Sequence, residues 1–574
     1  NGASEFSASS LSGATTANVV VSSGASLLAS GGSISLSAST SQFQNLGTVN
    51  AGAGSVTITA DTVDIQQAVT ADGGITLQPT TLSRTIGLND PAGNFNLTSA
   101  ELGRLSSTGT VTIGADGGTG AVSIGGSGEI NLSGKLFGLT LRGGDVTFAQ
   151  RLRIISTKAL TLRTGAVASA PGVGVDVQAG TLWLDTRGPV GASGNPLTLA
   201  VEFLRGTVGG NLFVREADGV TNSLAIANEL DAGTNMIQLD GGTFNLGASN
   251  VIGGSSLVHV NGATLALGNY QDAVGGVRLT TGTISCTGTN DFLASATDFE
   301  LWAGTVSAKL AGPVGMKKLG PGTVTLNDSG STFTGATTIS GGTLVIGAVA
   351  NPDGCLGTPP GSPTPGHLVI DGATLSSGSL AISASRGIAL GSAVGPGTGT
   401  INVTSGTVTY NGVMADNGIG GDQLIKTGPG ILELGGVNTY SGGTLVNQGQ
   451  IRISADSGLG TAPAVATPGN ITLVGGTLRV RESFELAATR GIALGDPAGS
   501  GTGTIFVEEL KTLTYNGVIA DNGSGADTLI KSGTGALILG GDNTFSGGTF
   551  FADTSPSVVE GAIQINHPNA LGTL

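Results

Sequence analysis

The side chains whose type and spacing come nearest to doing chemistry in this chain are carboxylates. Glu216, Asp218, Glu229 and Asp231 fall within a short span, and cleavage of a glycosidic bond needs two carboxyl groups facing each other across a groove. A β-helical polysaccharide lyase or glycosidase is therefore the alternative function to weigh, although acids this close in sequence also arise by chance and fold analogy is a weak ground for activity. A second acidic pattern recurs: Asp416-Asn417-Gly418-Ile419-Gly420-Gly421-Asp422 returns as Asp521-Asn522-Gly523-Ser524-Gly525-Ala526-Asp527. Two carboxylates on a glycine-bent loop could hold calcium, but that ion takes about 6–8 oxygen ligands and the loop offers few. A plain acidic turn joining two strands is the better reading.

The other reactive side chains form no constellation. His259, His367 and His567 stand alone and read as surface or corner residues; Cys286 and Cys355 are far apart and lack metal-type spacing. There is no Gly-x-Ser-x-Gly elbow, Cys-x-x-Cys pair, His-Glu-x-x-His helix or phosphate loop. The sequence thus predicts no catalytic, cofactor-binding or metal-binding residue and no enzyme, with calcium in the two acidic loops as the one cofactor candidate.

The elements that would carry these residues are short strands. Val19-Val20-Val21, Ile34-Ser35-Leu36, Val56-Thr57-Ile58, Val63-Asp64-Ile65 and Ile75-Thr76-Leu77 follow one another, with Gly, Asn or Asp at the corners between them. Strands of four or five residues, three to a turn, make rungs of roughly 20–25 residues, the size of a solenoid unit. The rhythm loosens from about 78 to 131, where Ser99-Ala100-Glu101-Leu102 suggests a loop or one helical turn, and 173–177 is a further strand candidate. About 26 such rungs would form one shaft on the order of 120 Å long. A set of sandwiches would need linkers between domains, and none stands out.

A longer period lies over the rungs. The stretch 424–449 (LIKTGPGILELGGVNTYSGGTLVNQG) returns at 529–551 and, worn, at 317–344. Lys426 and Lys531 are 105 residues apart, and Lys318 precedes Lys426 by 108. Fixed-period self-similarity marks a repeat architecture. Gly-Gly-Thr followed by Leu or Phe recurs at 241–244, 341–344, 442–445, 475–478 and 547–550; the expectation is a glycine bend, then a strand with Thr outward and the apolar residue in the lumen. Phe333, Tyr440 and Phe545 hold matching positions, as do Asn438 and Asn543, and read as core fillers and corner bonds. Loops leave the rungs at 351–366 and 456–470.

Composition narrows the class. Gly is 102 of 574 residues, about 18% against a usual ~7%, without the every-third spacing of collagen. Charged residues are 11%, with a net charge of −15, which offers no basic stripe for nucleic acid. Arg151, Arg153, Lys158 and Arg163 make one basic run, read as solvated strand faces and corners. Aromatic residues are 4%, with Trp183 and Trp302 the two tryptophans, which argues against a sugar platform. Thr rows such as Thr57/Thr59 and Thr407/Thr409 could suit ice or surface binding, but ordinary β-propensity accounts for them better.

The run Lys-Thr-Gly-Pro-Gly-Ile-Leu-Glu-Leu-Gly-Gly-Val-Asn-Thr-Tyr-Ser-Gly-Gly-Thr starting at Lys426 resembles the autotransporter-associated β-strand repeat, also called the passenger-associated transport repeat. The likeness is close at 424–453 and 529–551 and weaker at 317–346; the part before about 310 is loosely similar to filamentous-haemagglutinin β-helices. The resemblance implies an all-β, right-handed parallel β-helix with three short strands per rung in a single elongated shaft. It also implies an extracellular or bacterial cell-surface location and a structural or adhesive role, with a repeat that assists passage across the outer membrane. No catalytic residues come with it. The expected parts are irregular rungs at 1–310, a degenerate repeat at 311–425, a well-formed repeat at 426–530 and the start of another at 531–574. Both ends look cut, with no signal peptide and no membrane barrel, so the outer-membrane anchor would lie outside this chain. Expected partners are neighbouring copies or other parts of the same protein, stacked on open β-helix ends, and host, cell-surface or glycan receptors, but not nucleic acid.

Overall fold

Alternation of apolar and small polar residues writes the strands. In Val56–Thr59 and Ile75–Gln78 every second side chain is buried and its neighbour faces out, the pattern of a sheet with one wet side. A computed structural model describes residues 5–8, 11–217, 224–288, 291–552 and 561–573. It is nearly all β, its parallel strands stacked as a β-solenoid of about 24 turns. The chain divides into two compact units, Asn1–Ala296 and Thr297–Leu574.

At the start of the N-terminal unit each strand pairs with the third one along. Leu11–Ala14 pairs with Ile34–Ser37, then with Val56–Thr59 and Ile75–Gln78, in parallel and in register, while two further ladders run beside this one. Ile34, Val56, Ile75 and Val111 stack as successive lumen residues. The step from Ile75 to Val111 is the loosened region, and it holds the α-helical turn Ser99–Gly103. Thr98 and Glu101 form its capping box, and Glu101 also accepts from the Ile65 amide at 2.9 Å, which ties the insertion to the rung below.

Beyond this the strands lengthen, to ten residues in Val177–Thr186 and twelve in Leu197–Val208. Each turns a solenoid corner without breaking. Gly180 makes this feasible, since a Cβ there would lie 2.1 Å from the Ser156 carbonyl oxygen. The strand expected at 173–177 is displaced: it begins at Val177, and the preceding residues turn at Gly172 (φ 85°) so that the Asp176 carboxylate can enter the core.

In the C-terminal unit three ladders again share each turn. The Gly-Gly-Thr expectation holds at Thr243 of the N-terminal unit and at Thr343 and Thr477 of the C-terminal one, whose following Phe244, Leu344 and Leu478 are buried. It fails at the other two sites. Thr444 is 1% exposed, its hydroxyl 2.7 Å from that of Tyr440, and Leu445 faces outward; Phe550 is likewise 59% exposed. At these sites Thr444 and Thr549 continue the inward ladders of Leu424 and Leu529, and a one-residue change of register sends every side chain to the opposite face.

Candidate functional site: the polar corners of the repeat

A buried lysine begins each repeat. Lys318, Lys426 and Lys531 lie in Met316–Lys318, Gln423–Thr427 and Thr528–Ser532, at no more than 1% exposure. Among the described residues no carboxylate meets them. Lys318 Nζ donates to the carbonyls of Leu319, Gly320 and Gly341 at 2.8, 2.9 and 2.8 Å. Lys426 Nζ donates to Thr427, Gly428 and Gln448 at 2.7, 2.7 and 3.2 Å, and Lys531 Nζ to Ser532 and Gly533 at 2.7 Å each. The glycine two residues on turns its carbonyl inward by taking φ of 66°, 74° and 70° at Gly320, Gly428 and Gly533. In the first two copies three ammonium protons thus meet three carbonyls, one of them on the next rung. Burial pushes Lys426 and Lys531 down to about 8 and lowers Lys318 as well. Sequence reasoning used these lysines only as markers of the period; what recurs with each is a glycine two residues on, at Gly320, Gly428 and Gly533.

An arginine clamp closes the ejected loop. The 3₁₀ turns Pro352–Leu356 and Asp456–Leu459 open the two loops. Arg386 Nε donates to Asp353 at 3.0 Å and its Nη1 to the Leu356 carbonyl at 2.8 Å. Arg490 repeats this on Asp456 at 2.8 Å and Leu459 at 3.1 Å. His367, expected as a surface or corner residue, is buried beside Arg386 Nη1 at 3.4 Å. Burial lowers its pKa. Asn470 takes the matching place against Arg490. His567 is half-exposed, 3.9 Å from Asp542, and His259 faces Thr280. Cys355 is buried, its thiol pushed up to about 12 by desolvation and neighbouring carboxylates; Cys286 is half-buried. Phe333, Tyr440 and Phe545 are core residues, and Asn438 and Asn543 bridge corners through Met414 N (2.9 Å) and Ile519 N (2.8 Å).

The acidic loops are occupied by their own backbone. Asp422 accepts from Gly397 N at 2.6 Å and Asn417 N at 2.8 Å, while Asp416 accepts from Asp422 N, Ser441 N and Ser441 Oγ at 3.0, 3.0 and 2.8 Å. Asp527 and Asp521 repeat the pattern. Carboxylate oxygens aimed at N–H and O–H donors suit a plain turn rather than a cation. Among the described residues no cluster of three or more His, Cys, Asp or Glu could hold a metal ion.

Among the described residues the first acidic group does not assemble either. Asp218 lies outside the described residues. Glu216 is buried and accepts from the amides of Leu224, at 3.3 Å, and Thr243. Glu229 is exposed, and Asp231 closes its own turn on Gly233 N at 2.8 Å. The basic run is split as well. Arg153 stacks between Asn131 and Gln178, whereas Arg163 belongs to the neighbouring ladder with Arg142 and Asp185.

The repeat is out of step with the solenoid. Lys318 is followed up its ladder by Ile339, Ile370, Leu390 and Asp416. Lys426 stands on the next ladder, followed by Val446, Leu473, Leu494 and Asp521. Lys531 stands on the third, above Leu432, Ile451, Leu478 and Ile505. One repeat therefore spans four turns plus one strand, and equivalent residues of successive repeats face different sides.

Residues 316–346, 424–453 and 529–553 match the family model described as Passenger-associated-transport-repeat. The chain is also similar to the "Adhesin BmaC autotransporter" of Brucella suis biovar 1 (strain 1330), 30% identical over 359 residues, which covers 54% of this chain and 9% of that protein. No solved structure matches. Three matches to this transport repeat on a parallel β-solenoid, with the similarity to an autotransporter adhesin, make the chain similar to autotransporter passengers and indicate an extracellular or cell-surface location.

Proposed function

We propose that the chain is a structural and adhesive shaft of a large surface or secreted protein, that it does no catalysis, and that its partners are surface or host receptors. The observation that carries this reading is the use made of the recurring polar residues. Lysines, arginines, asparagines and loop aspartates are all spent on backbone groups at corners, which is what a stack of rungs needs and what a catalytic groove cannot spare. The relative's name, an adhesin, supports the adhesive part. The four-part division at 310, 425 and 530 is kept as our reading, with the last three parts each headed by one buried lysine corner. Negative-stain electron microscopy of the purified chain should show rods. Compact globules, or hydrolysis of any polysaccharide in a screen of glycans, would overturn the proposal.

A further inference from the structure

Seven of the chain's 23 Lys and Arg residues lie between positions 142 and 205, against the four carboxylates Asp145, Asp176, Asp185 and Glu202, in a chain whose net charge is −15. Asp176 is fully buried, so the surface of this stretch reverses the sign of the molecule. Four of the seven cations gather about one sheet face. Gly138–Arg142, Ala159–Thr164, Val177–Thr186 and Leu197–Val208 pair in parallel, which stacks their outward residues. Arg142 lies on Arg163, Asp185 and Thr207; beside them Thr140 lies on Thr161, Trp183 and Arg205.

Arg142 and Arg163 are like charges on adjacent rungs, ~4.8 Å apart, an arrangement that works against folding. One carboxylate answers them: Asp185 Oδ2 is 3.5 Å from Arg163 Nε, with both side chains largely open to water, and such a pair contributes little. Among the described residues neither Arg142 nor Arg205 has a carboxylate within ion-pair distance. The Arg205 guanidinium lies 4.3 Å from the centroid of Trp183, which keeps 38% of its surface exposed. Next to Trp183 runs a groove of about 350 Å³ with Gly138 and Ala159 among its lining residues, Thr140, Thr161 and Thr181 beside them, and Lys158.

We propose that this face binds a linear polysaccharide of uronic-acid residues lying along the ladders. The inference rests on the adhesive reading above and names its partner. The fork of a guanidinium matches the two oxygens of a carboxylate, and the stacked arginines repeat that fork from rung to rung. The indole offers a flat apolar surface to a sugar ring, and the threonine hydroxyls both donate to and accept from sugar hydroxyls. Single-stranded nucleic acid would answer the charge, but it needs successive stacking platforms, and this face exposes one indole.

Binding of the full chain to polygalacturonate, followed by biolayer interferometry, tests the proposal. Replacing Arg142→Gln and Arg163→Gln together should weaken binding by about ten-fold, and added salt should weaken the unmodified chain. Trp183→Ala should weaken it several-fold, whereas Arg479→Gln in the C-terminal unit should leave it unchanged. Circular dichroism and thermal unfolding show whether each variant folds. Equal binding to neutral dextran, no effect of the paired arginine change in a folded variant, or tighter binding of single-stranded DNA to the same arginines would overturn it. A chain that forms rods yet ignores polygalacturonate refutes this site alone; globules refute the shaft.

Discussion

The two units differ in the charges they bury: among the described residues the N-terminal unit buries acids alone, whereas the C-terminal unit buries cations beside Asp353, Asp422 and Asp527. Among the described residues, the fully ionic side chains in the core of the N-terminal unit are acids, including Asp61, Asp176, Glu216, Asp240 and Asp272. Every buried lysine and arginine, namely Lys318, Arg386, Lys426, Arg490 and Lys531, is in the C-terminal unit. The difference follows from which backbone groups a corner leaves unpaired. Asp272 accepts from the amides of Val251, Ile252 and Ala273 at 3.0, 3.1 and 2.9 Å, as Asp422 and Asp527 accept from amides in the repeat, whereas the lysine and arginine corners present carbonyls and need donors. A solenoid corner takes an anion or a cation according to the turn made there, and once a repeat has one answer it copies that answer.

The largest effect should come from removing the arginine clamp. Arg386→Ala or Arg490→Ala leaves Asp353 or Asp456 and several carbonyls without a partner, and breaking a buried pair typically costs about 3–5 kcal/mol. Chemical denaturation should show that loss confined to the C-terminal unit, as should hydrogen exchange at the 3₁₀ turn. A loss below ~1 kcal/mol would mean that the loop is held by other contacts. Next in size is Lys426→Met, which strands the carbonyls of Thr427, Gly428 and Gln448. Roughly 1–3 kcal/mol is expected from unsatisfied groups of this kind, and an unchanged melting temperature would sink the corner-tie role.

Smaller, but diagnostic of the contrast, is the response to pH. Lys426 and Lys531 have folded pKa values near 8 against an ordinary 10.5, so from about 8 to 10.5 the unfolded chain holds protons that the folded one has released. Their part of the stability therefore rises with pH over that window. Asp176 and Asp272 are held above their ordinary 3.8 by desolvation. Just above 3.8 it is the folded chain that holds the extra proton, so their part of the stability rises as pH falls toward 3.8. Hydrogen exchange resolved by unit should show these opposite slopes, and Lys426→Met with Lys531→Met should flatten the alkaline one. The smallest effect expected is from calcium: millimolar addition should leave the melting temperature unmoved, and a rise abolished by Asp416→Ala and Asp521→Ala would restore the ion to those loops.

Much of the fold was legible because a strand writes its own pattern. Val56-Thr57-Ile58-Thr59 alternates whether or not its neighbour is known, and Ser99-Ala100-Glu101-Leu102 stands out because nothing there alternates. The polar corners were half legible. Asn438 and Asn543 announced themselves by recurring, but Lys426 gives no hint in sequence that its partners are carbonyls, since an isolated lysine in a strand reads as a solvated one. Nor could Arg142 and Arg205 be joined to Trp183 from sequence, because they are neighbours only across rungs.

Composition and periodicity alone determined the short parallel strands, the glycine corners and the roughly hundred-residue repeat. Only the tertiary structure decided which way Thr444 and Thr343 point, which carbonyls close on each lysine, and that Lys318, Lys426 and Lys531 stand on three different ladders. The reason is that alternation is local to a strand. Register and phase depend on how many residues every intervening corner and ejected loop takes up, and that sum is settled when each turn of backbone bonds to the one beneath it.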